Sequence, residues 1–265
     1  MASHQTACGI ITLLTDFGTS DGYVAAMKGT ALTLSSALRV IDITHEVPSQ
    51  DIFRAALILK QVAQTFPKGT VHVVVVDPGV GTHRLPIAVE SADQYFVGPD
   101  NGVLTLAATP PRQAYQLTNS DLMRAKLSDT FHGRDIFAPV GARLACDTSI
   151  EEVGPALDTI AEIPLPTPTL GQGTIVGEVI YADRYGNLMI NVTEDLLRKL
   201  DPASIRITIS GITIEGLRST YGDVKRGELV AYVGSTGYLE VARREGNARH
   251  YLGAPRGAQV ILNHG

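Results

Sequence analysis

The sequence contains no tryptophan, and tyrosine and phenylalanine together make up only 6% of its 265 residues. A chain so poor in flat rings is not built as a platform for stacking sugars or successive nucleobases. Cysteine occurs twice, as Cys8 and Cys146. That is too few for a disulfide framework or a cysteine-rich metal site, so both read as free thiols. The seven histidines never stand at His-x-His or His-x-x-x-His spacing. With no cysteine or carboxylate at ligand spacing to complete a set, no metal is expected. No apolar run approaches the ~20 residues of a membrane span, and residues 1–9 are too short and polar for a secretory signal. A formal net charge of −5 argues against a phosphate backbone as the main partner. Gly-x-x-x-x-Gly-Lys and Gly-x-Ser-x-Gly are both absent, so neither a phosphate cradle nor a nucleophile elbow is visible. These absences leave a soluble, cytoplasmic protein that engages neither nucleic acid nor membrane.

What is present is ample apolar material, 44% hydrophobic against 18% charged residues, enough for a substantial core. The strand Ile10–Leu14 runs into Thr15-Asp16-Phe17-Gly18. A helix from about Asp21 to Leu34 follows, with Val24, Met27, Ala31 and Leu34 at helical spacing. Val40–Ile43 is a strand, and Asp51 to Phe66 carries a clear 3.6-residue period with a carboxylate at its positive end. Val71–Val76 is apolar throughout, as a strand buried on both faces should be. Strand, helix, strand, helix, strand implies an α/β unit with a largely parallel central sheet. Ile87–Glu90 and Tyr95–Val97 read as an antiparallel pair bent over Ser91-Ala92-Asp93. A short helix is expected from about Val103, and a small-residue helix over Ile136–Cys146. Pro164, Pro166 and Pro168 then read as an extended linker. Beyond it Ile175–Tyr181, Leu188–Val192, Ser204–Ile209, Ile212–Ile214, Leu229–Val233, Tyr238–Val241 and Gln259–Leu262 form short strands. The expected organisation is an N-terminal α/β domain over 10–162, a linker over 163–172 and a C-terminal β-barrel-like domain over 173–265.

The candidate chemistry sits at strand ends. Val73-Val74-Val75-Val76 stops at Asp77, and Pro78-Gly79-Val80-Gly81 turns the chain toward Arg84. Open α/β sheets bind ligands at the carboxyl ends of their strands, so Asp77 and Arg84 can hold a small polar species. They can equally be a structural ion pair. Asp16, at the end of the first strand, reads either as a carboxylate for two ribose hydroxyls or as a helix cap. His132, in Thr130-Phe131-His132-Gly133-Arg134-Asp135, suits a proton acceptor or a holder of a polar nucleophile, or it simply begins a helix. In the second domain Tyr185 can cover a flat base and Asn187 can bond its edge. The loop Gly234–Glu240 exposes hydroxyls, amides and one carboxylate, the partners an amino-acid zwitterion needs. The triplet Asp16-Phe17-Gly18 is not read as a kinase motif, because no Gly-rich loop, strand lysine or catalytic loop precedes it.

Six ordered motifs carry a resemblance. They are Thr-Asp-Phe-Gly at 15–18, Asp-Pro-Gly-Val-Gly-Thr at 77–82 with Arg84, Pro-Asp-Asn-Gly at 99–102, Phe-His-Gly-Arg-Asp at 131–135, Asp-Arg-Tyr-Gly-Asn at 183–187 and Ser-Thr-Gly-Tyr-Leu at 235–239. Each alone is weak; in this order they are specific. From Ile11 to Val260 the chain resembles the S-adenosyl-L-methionine hydroxide adenosyltransferases, or S-adenosylmethionine hydrolases, relatives of the bacterial fluorinases and chlorinases. The resemblance implies hydrolysis of S-adenosylmethionine to adenosine and L-methionine, with neither metal nor cofactor. It implies a homotrimer whose sites lie between one subunit's N-terminal domain and its neighbour's C-terminal domain. By motif, Asp77, Arg84 and His132 match the triad that holds the attacking water or hydroxide, and Asp16 matches the ribose-binding carboxylate. Tyr185 and Asn187 match adenine-contacting positions. Asp21, Ser235 and Glu240 fall at the methionine end, while Asn101 and Phe131 join the substrate-binding set. The halogenases have a non-acidic residue in place of Asp77 and lack the histidine, so the complete triad favours water over halide. Thr236 stands where fluorinases carry arginine. Two other readings remain open: a 5′-halogenase, and a nucleoside-binding protein without turnover.

Overall fold

The computed structural model describes residues 7–264; His4 of the histidine set lies outside the described residues. The chain divides into two compact units, the first ending at Pro164 and the second beginning at Leu165. Among the described residues no helix is long and apolar enough to cross a membrane.

The first unit opens with strand β1 (Ile10–Thr15), helix α1 (Tyr23–Leu34), strand β2 (Arg39–Thr44), helix α2 (Ile52–Ala63) and strand β3 (Val71–Val75). Strands β4 (Pro86–Ser91), β5 (Gln94–Pro99) and β6 (Arg112–Gln116), helix α3 (Ala138–Leu144) and strand β7 (Ala156–Leu157) complete it. Asp51 caps α2, its carboxylate accepting from the Arg54 N–H at 3.1 Å, as its place at the start of the helical period requires.

The strands form one sheet in the order β2-β1-β3-β5-β4-β6-β7. The β2/β1, β1/β3 and β3/β5 pairs are parallel, whereas β5/β4, β4/β6 and β6/β7 are antiparallel. The sheet is therefore mixed, which corrects the expectation of a largely parallel one. The reason is the hairpin. Ser91 pairs with Gln94 across Ala92 and Asp93, both in the left-handed region at φ 49° and 63°, and a two-residue turn can only return its strand antiparallel. The helix expected from Val103 is a run of turns instead, and the one expected over Ile136–Cys146 begins as a π-turn, Gly133–Phe137, before α3. Strand β6 is short and largely polar and β7 is only two residues long, so no apolar pattern announced them.

Strand β3 is central and buried on both faces. Val71, Val73 and Val75 pack with Val24 and Met27 of α1 and Val140 of α3. Val74 and Val76 pack with Ala55, Leu59 and Ala63 of α2. Each such valine contributes about 1.5–3 kcal/mol of burial. Helix α3 lies so close to β3 that a Cβ on Gly141 would sit 2.5 Å from Val73 Cγ2. This packing holds the end of β3, and with it Asp77, in place.

The second unit contains strands β8 (Thr169–Gly171), β9 (Thr174–Ala182) and β10 (Leu188–Thr193), helix α4 (Glu194–Leu197) and strands β11 (Arg206–Ile209) and β12 (Ile212–Glu215). Strands β13 (Leu229–Val233) and β14 (Tyr238–Arg243), helix α5 (Ala248–Leu252) and strand β15 (Gln259–Asn263) follow. All pairings are antiparallel, in the order β12-β11-β15-β9-β10-β14-β13 with β8 on β9. The outermost strands β12 and β13 approach each other, so the sheet curls into a nearly closed barrel. Its interior is aliphatic, with Val179, Ile190, Ile207, Leu239 and Val260 fully buried. Thr169–Gly171, expected within the linker, belongs to this sheet as β8.

Candidate active site

In the first unit the turn after β3 builds the site. Val80 N–H donates to Asp77 O at 3.2 Å and Thr82 N–H to Gly79 O at 3.1 Å, which reverses the chain and returns Arg84 to Asp77. Gly81 sits at φ 75°, where a Cβ would meet Asp129 O at 2.7 Å; only glycine fits there. Arg84 Nε donates to both Asp77 oxygens at 3.0 Å and Nη2 to Oδ2 at 2.5 Å. The guanidinium lies 5.3 Å from the ring centre of buried Phe137. The two side chains are only 9% and 5% exposed, so the pair is largely desolvated and its charges are strong.

Arg84 Nη2 also lies 2.7 Å from His132 Nδ1. A guanidinium has only donors, so Nδ1 must accept. His132 is therefore neutral with its proton on Nε2, and the second ring nitrogen is a hydrogen-bond donor. Burial first, then the charge of Arg84, pushes the His132 pKa below the usual imidazole value against the pull of Asp77. His132 precedes the π-turn, a local irregularity that recurs at functional sites. Fully buried Asp135 anchors that turn, accepting from Ser128 N–H at 2.8 Å and from Arg134 Nε at 2.7 Å.

A cleft of about 240 Å³ opens beside these groups, lined among others by Asp16, Gln50, Asp77, Phe131, His132 and Gly133. Asp16 Oδ2 accepts from Gln50 N–H at 2.8 Å. Helix α1 is preceded by Gly22 with no side-chain cap, so Asp16 is not a cap; it faces the cleft instead. Gln50 has φ 65°, an uncommon conformation for a residue with a side chain, and it directs the amide that holds Asp16. Phe131 stacks edge-on to Phe17 and Tyr23, with centroids 6.0 and 5.3 Å apart. Asp21 is exposed and outside this lining. Asn101 is also outside it. Its amide donates to Val76 O at 2.9 Å and its oxygen accepts from Val103 N–H at 3.2 Å, so it secures the end of β3.

In the second unit Tyr185 is 75% exposed on the β9–β10 turn. Gly186 beside it is at φ 84° and packs against the Asn247 side chain, leaving no space for a Cβ. Asn187 N–H and Nδ2 donate to the two oxygens of Asp183, each at 2.8 Å. Nδ2 also approaches the Tyr221 hydroxyl at 3.4 Å, which lies 2.6 Å from the Tyr232 hydroxyl. Tyr232 donates to Glu240 Oε2 at 2.8 Å. Burial, helped by the charge of Asp183, pushes the Glu240 carboxyl up. Glu240 lies across Gly234, and Ser235 is exposed on the β13–β14 hairpin. Thr236 Oγ1 is buried without a hydrogen-bond partner among the described residues.

The N-terminal domain model of the SAM hydroxide adenosyltransferases matches residues 11–154, and the C-terminal domain model matches 177–261. The chain belongs to the SAM hydroxide adenosyltransferase family. An (R)-S-adenosyl-L-methionine hydrolase from Salinispora tropica is 41% identical, covering 96% of this chain and 98% of its own length. One of the same name from Thermus thermophilus is 40% identical over 95% of this chain and 98% of its own. Fluorinases are more distant, 28% identical for that of an Actinoplanes species over 88% of this chain and 90% of its own. The crystal structure of an uncharacterized conserved protein from Thermotoga maritima superposes with a TM-score of 0.90 at 34% identity, covering 96% of this chain and all of that one.

For this adenosyltransferase-family chain, the motif positions Asp16, Asp77, Phe131 and His132 do converge on one cleft, with Arg84 bridging two of them. Gln50, Tyr221 and Tyr232 went unnoticed in the sequence. Gln50 lies in a polar loop without a motif, and the tyrosines read as ordinary strand and turn residues.

Proposed function

We propose that this protein hydrolyses S-adenosyl-L-methionine to adenosine and L-methionine by attack of water-derived oxygen at ribose C5′. The observation that carries the reading is Arg84 bound at once to Asp77 and His132 beside the cleft. The homologues named hydrolases, 40–41% identical over nearly the whole chain, support it.

The sulfonium makes the leaving group ready. The C5′–S bond breaks with its electron pair passing to sulfur, which departs as the neutral thioether of methionine. Water supplies the new C5′–O bond and loses one proton to solvent. The protein's task is then to hold an oxygen nucleophile, partly desolvated, in line with C5′. Positioning of this kind supplies about 7–11 kcal/mol. Arg84 favours hydroxide by its charge. Asp77 orients Arg84 and offsets that charge near a cationic substrate. Because Arg84 occupies Nδ1, His132 acts through its Nε2–H, donating to the oxygen rather than taking its proton. Asp16, with one oxygen held by Gln50, offers the other to the ribose. Tyr185 and Asn187 receive the base, and Asp21, Ser235 and Glu240 belong to the methionine end.

The cleft of about 240 Å³ is smaller than the roughly 300–1,000 Å³ of pockets that enclose a drug-sized ligand. It suits the ribose and nucleophile alone. This supports a site shared between subunits of a homotrimer, residues 10–162 of one chain facing 173–265 of its neighbour across the 163–172 linker region. The setting we propose is the cytoplasm. The homologues' name specifies (R); the amino acid is already given as L and the sugar is fixed, so the letter denotes the sulfonium.

The deciding experiment incubates the protein with each sulfonium epimer in oxygen-18 water and analyses products by chromatography and mass spectrometry. The expected outcome is methionine plus adenosine carrying label at O5′, with the (R) epimer consumed faster. Unlabelled adenosine, or 5′-halogenated nucleoside in added chloride or fluoride, would overturn the hydrolytic reading. Adenosine binding with no methionine release would make the protein a binder.

A further inference from the structure

The second unit contains a hydrogen-bond chain that runs from the proposed base contact, Asn187, to Glu240. Its members come from four separate segments: Asp183 and Asn187 on the β9–β10 turn, Tyr221 on a single helical turn, Tyr232 on β13 and Glu240 on β14. The direction of every bond follows from chemistry. The Asp183 carboxylate can only accept, so the Asn187 side-chain atom 2.8 Å from it is the NH2 nitrogen. The second hydrogen of that nitrogen faces the Tyr221 oxygen at 3.4 Å. Tyr232 gives its proton to Glu240 at 2.8 Å, so across the 2.6 Å contact between hydroxyls Tyr221 is the donor. The chain therefore runs one way, from Asn187 through Tyr221 and Tyr232 to the carboxylate, and successive bonds polarise one another.

Both N–H groups of the Asn187 side chain are thus committed. Among the described residues its Oδ1 accepts no hydrogen bond, so the carbonyl oxygen is what the side chain has left for a ligand. We infer that Asp183, Tyr221, Tyr232 and Glu240 act as positioning residues that fix Asn187 as an acceptor, and that the base site thereby selects a 6-amino purine over a 6-oxo purine. The inference rests on the reading that Asn187 meets the edge of the base. A 6-amino group donates into Oδ1. A 6-oxo group sets lone pair against lone pair, and the amide cannot turn without placing its oxygen against the Asp183 carboxylate. Glu240 ends the chain through Oε2, and Gly234, which its carboxyl overlies, makes room for it.

The test titrates the full-length protein with adenosine and with inosine by calorimetry, for wild type, Asn187→Ala, Tyr221→Phe and Tyr232→Phe. Wild type should prefer adenosine by ~10²-fold or more, as a site whose fixed polar group would be left opposed by the wrong base does. Asn187→Ala should abolish most of that preference. Tyr221→Phe frees one N–H and should reduce the preference about tenfold, chiefly by strengthening inosine. General loosening of the unit would weaken both ligands alike. Tyr232→Phe should act in the same direction and serves if Tyr221→Phe does not fold. Equal binding of the two nucleosides by wild type would overturn the inference without any variant. A preference lost in Asn187→Ala but unchanged in both tyrosine variants would overturn the role of the chain and leave the base contact standing. A preference untouched in Asn187→Ala would remove both.

Discussion

Replacing Arg84 with methionine keeps the length of the side chain and removes its charge and its donors. Asp77, with a side chain only 5% exposed, is then left without its cation, and His132 Nδ1 loses its donor. An uncompensated, largely buried carboxylate destabilises by about 3–5 kcal/mol; the slight exposure puts the expectation at the lower end, about 3 kcal/mol. Turnover should fall by ~10²–10³-fold, as when a preorganised electrostatic group is removed, equivalent to about 3–4 kcal/mol on the barrier. The two losses have different origins and can be separated. Adding Asp77→Asn to Arg84→Met removes the stranded charge, so stability should return by about 2 kcal/mol or more while activity stays low. Arg84→Lys keeps a charge but cannot span both partners, and should fall between. Urea denaturation reports stability, and chromatographic release of adenosine reports turnover. Wild-type turnover in Arg84→Met, or recovery of activity in the double variant, would refute the role of Arg84 as the holder of the nucleophile.

Because the Arg84 contact requires neutral His132, kcat/KM should fall on the acid side as the imidazole protonates, with the inflection below the ordinary imidazole value; His132→Asn, which can still accept from Arg84 and donate onward, should lose that limb, and an unaltered limb would exclude His132 as its source. Buried His72, hydrogen-bonded to Thr12 at 2.7 Å, has its pKa lowered by burial from 6.5 to about 4. Its folded form therefore binds fewer protons than the unfolded chain in that window, and stability should drop as pH falls from 6.5 toward 4, by about 2 kcal/mol at pH 5. Thermal melts of wild type and His72→Phe across that range should show the shallower slope in the variant; parallel slopes would contradict it. Gly81→Ala forces a Cβ to 2.7 Å from Asp129 O at φ 75° and should destabilise by about 1–3 kcal/mol, with kcat lowered more than KM is raised. Mixing inactive Asp16→Ala and Tyr185→Ala chains should restore activity if sites are shared between subunits, whereas none regained after demonstrated subunit exchange would argue for sites within one chain.

Much of the first unit was legible because its signals are local. The unbroken apolar run of β3 demanded burial on both faces, and alternate valines do pack against α1 with α3 and against α2. The hairpin was legible from its turn, yet its consequence for the sheet was not: three of the six strand pairings are antiparallel. Strand order depends on which edges meet in three dimensions, and β6, the short strand Arg-Gln-Ala-Tyr-Gln, has no periodicity to announce it. Neither Asp21 nor Asn101 lines the cleft of the first unit. One is exposed and away from the cleft, and the other secures Val76.

By itself the sequence determined that a central strand ends in Asp77, that a glycine turn brings Arg84 back to it, and that the six motifs occur in a family's order. These are matters of periodicity, turn chemistry and short spacing, where propensity and chain connectivity suffice. Only the tertiary structure decided that Arg84 Nη2 meets His132 across 48 residues of sequence, which sets the imidazole tautomer, and that Gln50 holds Asp16 across 34. It also decided that two unremarked tyrosines connect Asn187 to Glu240. Those contacts join segments distant along the chain. Their geometry is fixed by sheet order and by the packing of the two cores, and neither is encoded in any local stretch.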